Sequence, residues 1–84
     1  MEVLFTARFL RSYNKLPRDV QSDVEQAVEL FKDRGNHDRL KLYKLRGKMK
    51  QHYAFSANYS YRIVVKISGK VVTYMDVGNH SVYE

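Results

Sequence analysis

Tyr59-Ser-Tyr-Arg-Ile-Val-Val-Lys-Ile-Ser-Gly-Lys-Val-Val-Thr-Tyr-Met-Asp-Val-Gly-Asn-His-Ser-Val-Tyr83 is the stretch that decides the fold. Apolar residues alternate along Ser60–Ile67 and again along Lys70–Val77, the period of a half-buried strand. Ser68-Gly69 separates the two runs and reads as a two-residue hairpin loop with its required glycine. That loop predicts Ile67 opposite Lys70 and Arg62 opposite Met75. One face of the hairpin then carries Tyr61, Ile63, Val65, Val72 and Tyr74, and is expected to lie under helices. The other carries Arg62, Val64, Lys66, Thr73 and Met75, half apolar and half basic, as a ligand-facing surface would be.

Working back towards the N-terminus, Gln51–Ala57 predicts a further strand. Tyr53, Phe55 and Ala57 share one face of it, and His52, Ala54 and Ser56 the other. Asn36–Lys50 has weak periodicity and reads as a loop or short strand, with Leu40, Leu42 and Leu45 set among basic residues and a turn at Gly47. Pro17–Arg34 predicts a helix with the apolar stripe Val20, Val24, Ala27, Val28, Phe31 and a C-cap at Gly35. Ala7–Lys15 predicts a second helix, kept separate because proline is not tolerated inside a helix. Val3–Thr6 reads as a first strand. The expected fold is therefore α+β, in the order β-α-α-β-β-β. Two N-terminal helices would pack on one face of a small, mainly antiparallel sheet, in a single domain spanning residues 1–84.

The chain has 84 residues and no cysteine, which excludes disulfides and thiolate metal sites. Net charge is +6. The segment from Lys32 to Lys50 holds eight Lys or Arg and two Asp, whereas Asp19 to Asp33 holds five acids and one base. Segregated basic charge beside a sheet suits a polyanion such as RNA. Met1–Phe5 has neither the basic nor the apolar region of a signal peptide, and no window is long enough to span a membrane. The expectation is a cytoplasmic protein without membrane contact.

Three motifs follow one another in this order: Leu45-Arg46-Gly47, Tyr61-Arg62-Ile63-Val64-Val65 and Val77-Gly78-Asn79-His80. Together with the element order they resemble the RelE/ParE superfamily of small toxins from bacterial toxin–antitoxin pairs, and their spacing is closest to YoeB-like members. The resemblance covers the whole chain. It implies a RelE-like fold, a cognate antitoxin that is acidic and partly disordered, and one of two activities. RelE and YoeB branches cleave messenger RNA on the ribosome; ParE members inhibit DNA gyrase and lack the nuclease residues. No acidic or Cys/His cluster in this sequence has metal-ligand spacing, so the expected cleavage is metal-independent and uses no cofactor. A degenerate member that only binds antitoxin is a third reading.

Metal-free RNA cleavage needs a base for the 2′-hydroxyl, cations for the charge building on the phosphate, and an acid for the leaving 5′-oxygen. On the resemblance, Arg62 is the phosphate-stabilising cation, because its donor fork suits phosphate oxygens. His80 is the acid, since imidazole exchanges protons near neutral pH. The base is open. YoeB-like members have a carboxylate where this chain has Tyr43, and RelE-like members have strand lysines where it has Tyr53 and Phe55. His52 is a substitute base or a plain surface histidine. Tyr83 either stacks on a nucleobase or packs on the sheet edge. Lys44, Arg46, Lys48, Lys50 and Lys66 would bind RNA, and no metal site is expected. His37 reads as a turn residue.

Overall fold

A computed structural model of the chain describes residues 1–47 and 51–79. The elements are β1 (Glu2–Phe5), α1 (Ala7–Asn14), α2 (Arg18–Phe31), a short 3₁₀ turn (Arg34–Asn36), β2 (Tyr43–Lys44), β3 (His52–Ser56), β4 (Arg62–Ser68) and β5 (Val71–Gly78). They form one five-stranded sheet in the order β1-β5-β4-β3-β2. β1 runs parallel to β5, and the other neighbours are antiparallel. The expected α+β architecture is present, with β2 as a fifth, two-residue edge strand.

Local chemistry sets each boundary. Thr6 ends β1 and caps α1: its hydroxyl accepts from Phe9 N at 3.1 Å and donates to the Tyr74 carbonyl at 2.9 Å. Pro17 is the N-cap of α2, a place where its missing N–H costs nothing. The end of α2 departs from expectation. The helix stops at Phe31, and Gly35 lies in the 3₁₀ turn. Side chains there satisfy the carbonyls that a glycine cap would otherwise serve. Asn36 Nδ2 donates to Leu30 O at 2.9 Å, and a His37 ring nitrogen sits 2.9 Å from Phe31 O. His37 thus does more than turn the chain, since it also stacks on Phe31 with ring centroids 4.2 Å apart.

The register of the β4–β5 hairpin also differs from expectation. Gly69 and Lys70 form the loop, Ser68 pairs with Val71, Ile67 with Val72 and Arg62 with Gly78. A two-residue loop can place its glycine first or second; here Gly69 is first and has φ +58°. The shift at the loop is two residues, so each side chain keeps its face. A bulge then follows. Val65 pairs with Tyr74 but Val64 pairs with Asp76, leaving Met75 as the extra residue. Strict alternation from Val72 and Tyr74 would turn Asp76 into the core. The bulge releases it and brings Val77 in opposite Ile63.

The core lies between the helices and the sheet: Phe9, Val20, Val24, Ala27 and Phe31 meet Phe55, Ile63, Val65, Val72, Tyr74 and Val77. Phe31 and Phe55 stack at 4.3 Å, and Phe9 meets Tyr74 edge-on at 5.3 Å. The opposite face holds a small cluster of Leu45, Ala54 and Val64 with Met75 against it. Among the described residues nothing else packs in a buried cluster on that face, the open face of the sheet.

Tyr74 is 1% exposed. Burial, then the negative charge of Glu29, pushes its phenol well above the ordinary 10.0. Below pH 10 folded and unfolded chains both hold this proton; above it the unfolded chain releases it first. Stability should therefore be flat to about pH 10 and then fall by about 1.4 kcal/mol per pH unit from this residue. Tyr74→Phe should remove that share of the alkaline loss. Urea unfolding from pH 8 to 11 checks it, and equal slopes for the two proteins would refute it.

Candidate functional site

Register fixes what the open face presents. Three cross-strand rows run over it: His52–Lys66–Thr73, then Ala54–Val64, then Ser56–Arg62–Gly78. Tyr43 extends the middle row through its pairing with Ala54. Arg62 and Lys66 are thus on one face, as the sequence predicts, but four residues apart along β4, or about 13 Å. His52 belongs to the Lys66 row and is separated from the Arg62 row by the same span. Tyr53 and Phe55 face the helices and pack in or against the core. Neither position can present a group to the open face.

Arg62 sits where β4 begins, and the β3–β4 loop is built around it. Its Nη1 donates to the carbonyls of Asn58, Tyr59 and Tyr61 at 3.0, 3.1 and 3.1 Å. Asn58 braces the same loop from inside. Its Oδ1 accepts from the amides of Ser60 and Tyr61, both at 2.9 Å, and its Nδ2 donates to Asp23 of α2 at 2.9 Å. The guanidinium is therefore fixed at the rim of the sheet. Its Nε and Nη2 make no hydrogen bond among the described residues, which leaves donors for an anion. The clamp was not visible in the sequence; the Asn-x-x-x-Arg spacing of residues 58 and 62 is its only trace.

Across the sheet from Arg62, Gly78 is the last residue of β5. His80 and Tyr83 lie outside the described residues, as do Lys48 and Lys50. Lys44 pairs with Tyr53, so its register position is on the helix side of the edge strand. Arg46 is exposed beside Gly47, whose φ is +76°. Lys66 is exposed on the open face. The carboxylate nearest to Arg62 in register is Asp76, which is already bound: Arg8 Nε at 3.1 Å, Ser12 Oγ at 2.6 Å and the Val77 amide at 2.9 Å. Among the described residues, no group of His, Asp or Glu side chains is placed to hold a metal ion, and no helix is long and apolar enough to cross a membrane.

On the helix side, an apolar groove of about 800 Å³ opens between β1, α1 and α2. Phe5, Leu10 and Val28 line it, with Glu25 and Glu29 at its rim.

No known protein family matches the sequence, and neither does any curated protein. Solved structures do match. YafQ from Escherichia coli superposes with a TM-score of 0.81 at 10% identity, covering 95% of this chain and 93% of YafQ. The chain has the RelE-like toxin fold. A YoeB/ParE toxin from Agrobacterium tumefaciens matches at 0.71 and 20% identity, over 95% of this chain and 99% of the toxin. A chain of the RelB–RelE antitoxin–toxin complex of Methanococcus jannaschii also matches at 0.71 and 20% identity, over 93% and 91%. YafQ has likewise been solved in a toxin–antitoxin complex, with DinJ. At these identities the likeness is one of fold.

The Arg62 clamp depends on Asn58. Asn58→Ala removes the acceptor for two amides and should cost about 1–2 kcal/mol. Hydrogen exchange at Ser60 and Tyr61 should accelerate. Asn58→Asp keeps the acceptor but sets a second carboxylate against Asp23, so exchange should stay slow while stability falls. Unchanged exchange in Asn58→Ala would show that the loop is held by something else.

Proposed function

We propose that this chain is the toxin of a type II toxin–antitoxin pair and acts as a ribosome-dependent, metal-independent mRNA endonuclease. The observation that carries the reading is Arg62. A guanidinium held rigid by three carbonyls, with donors left over, stands directly across the sheet from Gly78. His80 follows Gly78 by two residues, a tether of at most about 7 Å between Cα atoms. On this reading Arg62 is the cation for the phosphate and His80 the imidazole for the leaving 5′-oxygen.

In this mechanism the 2′-oxygen attacks the adjacent phosphorus, the P–O5′ bond breaks, and a 2′,3′-cyclic phosphate results. Arg62 binds the phosphate oxygens as their charge grows, an interaction that strengthens towards the transition state. His80 in its protonated form donates to the departing 5′-oxygen. Lys66, Arg46, Lys48 and Lys50 supply sequence-independent attraction to the RNA backbone and to the ribosome. Tyr83 is a candidate for stacking on a base. The partner is an antitoxin of acidic, partly disordered sequence. Its charge suits a chain of net charge +6, and the apolar groove beside α1 offers a seat for one of its hydrophobic segments. The cytoplasm, where ribosomes are, is the expected location.

One observation favours a second reading, a ParE-like gyrase inhibitor with no nuclease activity. Among the described residues, the open face near Arg62 presents no lysine as base and the nearest carboxylate in register, Asp76, is already bound, while His52 is about 13 Å away along the strand.

The experiment is message-end mapping and plasmid topology after induction in the same cells. Arg62→Lys and His80→Ala should each lower cleavage by about a hundredfold or more, with both variants folded by circular dichroism. Wild-type cleavage by both variants would overturn the nuclease reading. Relaxed plasmids with intact messages would select gyrase.

A further inference from the structure

Tyr59 is 93% exposed, far more than any other large hydrophobic side chain among the described residues. Burying an aromatic ring is ordinarily favourable, and a loop tip needs no ring to turn. Yet this loop is among the most thoroughly braced parts of the surface. Asn58 Oδ1 holds the Ser60 and Tyr61 amides, Ala57 N donates to Tyr61 O at 3.0 Å, and Arg62 Nη1 takes the carbonyls on either side, that of Tyr59 included. The backbone on both sides of Tyr59 is fixed, so its ring is held out in water.

Resting on the nuclease reading above, we infer that Tyr59 is a preformed stacking platform for a nucleobase of single-stranded RNA, next to the phosphate that Arg62 binds. Guanidinium and loop backbone are tied together, because the arginine that would grip the phosphate also grips the carbonyl of Tyr59, at 3.1 Å, so the point from which the ring projects is fixed. Aromatic faces bind bases without regard to sequence, and the ordering cost of the loop is already met before RNA arrives. An aromatic face beside a guanidinium matches a base next to its phosphate, which favours RNA as the occupant.

The test uses the purified full chain and an uncleavable 2′-O-methyl octanucleotide carrying 2-aminopurine, with affinity read by anisotropy at several salt concentrations. Tyr59→Ala should bind roughly tenfold more weakly. It should lose the quenching of 2-aminopurine and leave the slope of log affinity against log salt unchanged. Tyr59→Phe should retain affinity and quenching, because the ring remains. Arg62→Ala should weaken binding and flatten the salt slope by about 0.7. Tyr59→Ala binding like wild type while Arg62→Ala weakens would overturn the platform and leave the RNA reading standing. No binding by any of the proteins would overturn the platform, while the nuclease reading stands or falls on the message-end mapping. Thermal melting of Tyr59→Ala at the wild-type temperature separates loss of stacking from loss of fold.

Discussion

The β4–β5 pairing carries most of this structure, and its bulge at Met75 is the constraint on which the rest depends. Strict alternation would bury the Asp76 carboxylate in an apolar core, at a cost of several kcal/mol. One extra residue avoids that. Val77 enters the core opposite Ile63, and Asp76 is free to bind Arg8 and Ser12 of α1. The same residue sets the register at the end of the strand and places Gly78 across from Arg62. Helix docking and site geometry therefore share one cause. Removing the extra residue would disturb both.

Arg62 is caught between two roles. As a structural residue it closes the β3–β4 loop by donating to three carbonyls through one nitrogen. As a candidate phosphate ligand it needs a guanidinium that stays where it is while charge builds on the substrate. The two roles reinforce each other, because a donor already oriented costs little to use in the transition state. A lysine could supply the charge but not the clamp: it has a single nitrogen, and turning it to the carbonyls would take it from the phosphate. This separates the site from a merely basic surface, where exposed cations move freely and contribute little individually.

The sequence was legible where one periodicity ruled. Alternation along β4 and β5 placed Ile63, Val65, Val72 and Tyr74 under the helices, and the stripe from Val20 to Phe31 placed α2 above them. It was misleading where a local contact competed with a rule. Glycine after a helix predicts a cap, but Asn36 and His37 reach the α2 carbonyls first, so Gly35 is used elsewhere. Hairpin register was missed because a glycine in a two-residue loop does not say which of the two positions it takes. A bulge has no signature beyond an acid where alternation wants an apolar residue, and Asp76 is that acid. The site was half legible. Arg62 and Lys66 fall on the predicted face, but the distance between them, and the clamp through Asn58, depend on pairings that no local pattern encodes.

Among the described residues no unbound base stands beside Arg62, which bears on how this face could cleave RNA. Around Arg62 the open face offers Ser56, Gly78 and the apolar row of Ala54 and Val64, while Asp76 is held by Arg8, Ser12 and the Val77 amide. The first four offer no base, and the Asp76 carboxylate is engaged by α1 and its own strand. His52 would need the substrate to lie across two rows of the sheet at once. On the nuclease reading, the face then lowers the barrier by stabilising charge and aiding departure of the leaving group, while the 2′-hydroxyl gives its proton to water. Such a reaction is limited by how often the 2′-oxygen, phosphorus and 5′-oxygen come into line. Free RNA achieves that alignment rarely. On the nuclease reading, a partner that holds the message in line would then supply the alignment that the described face does not.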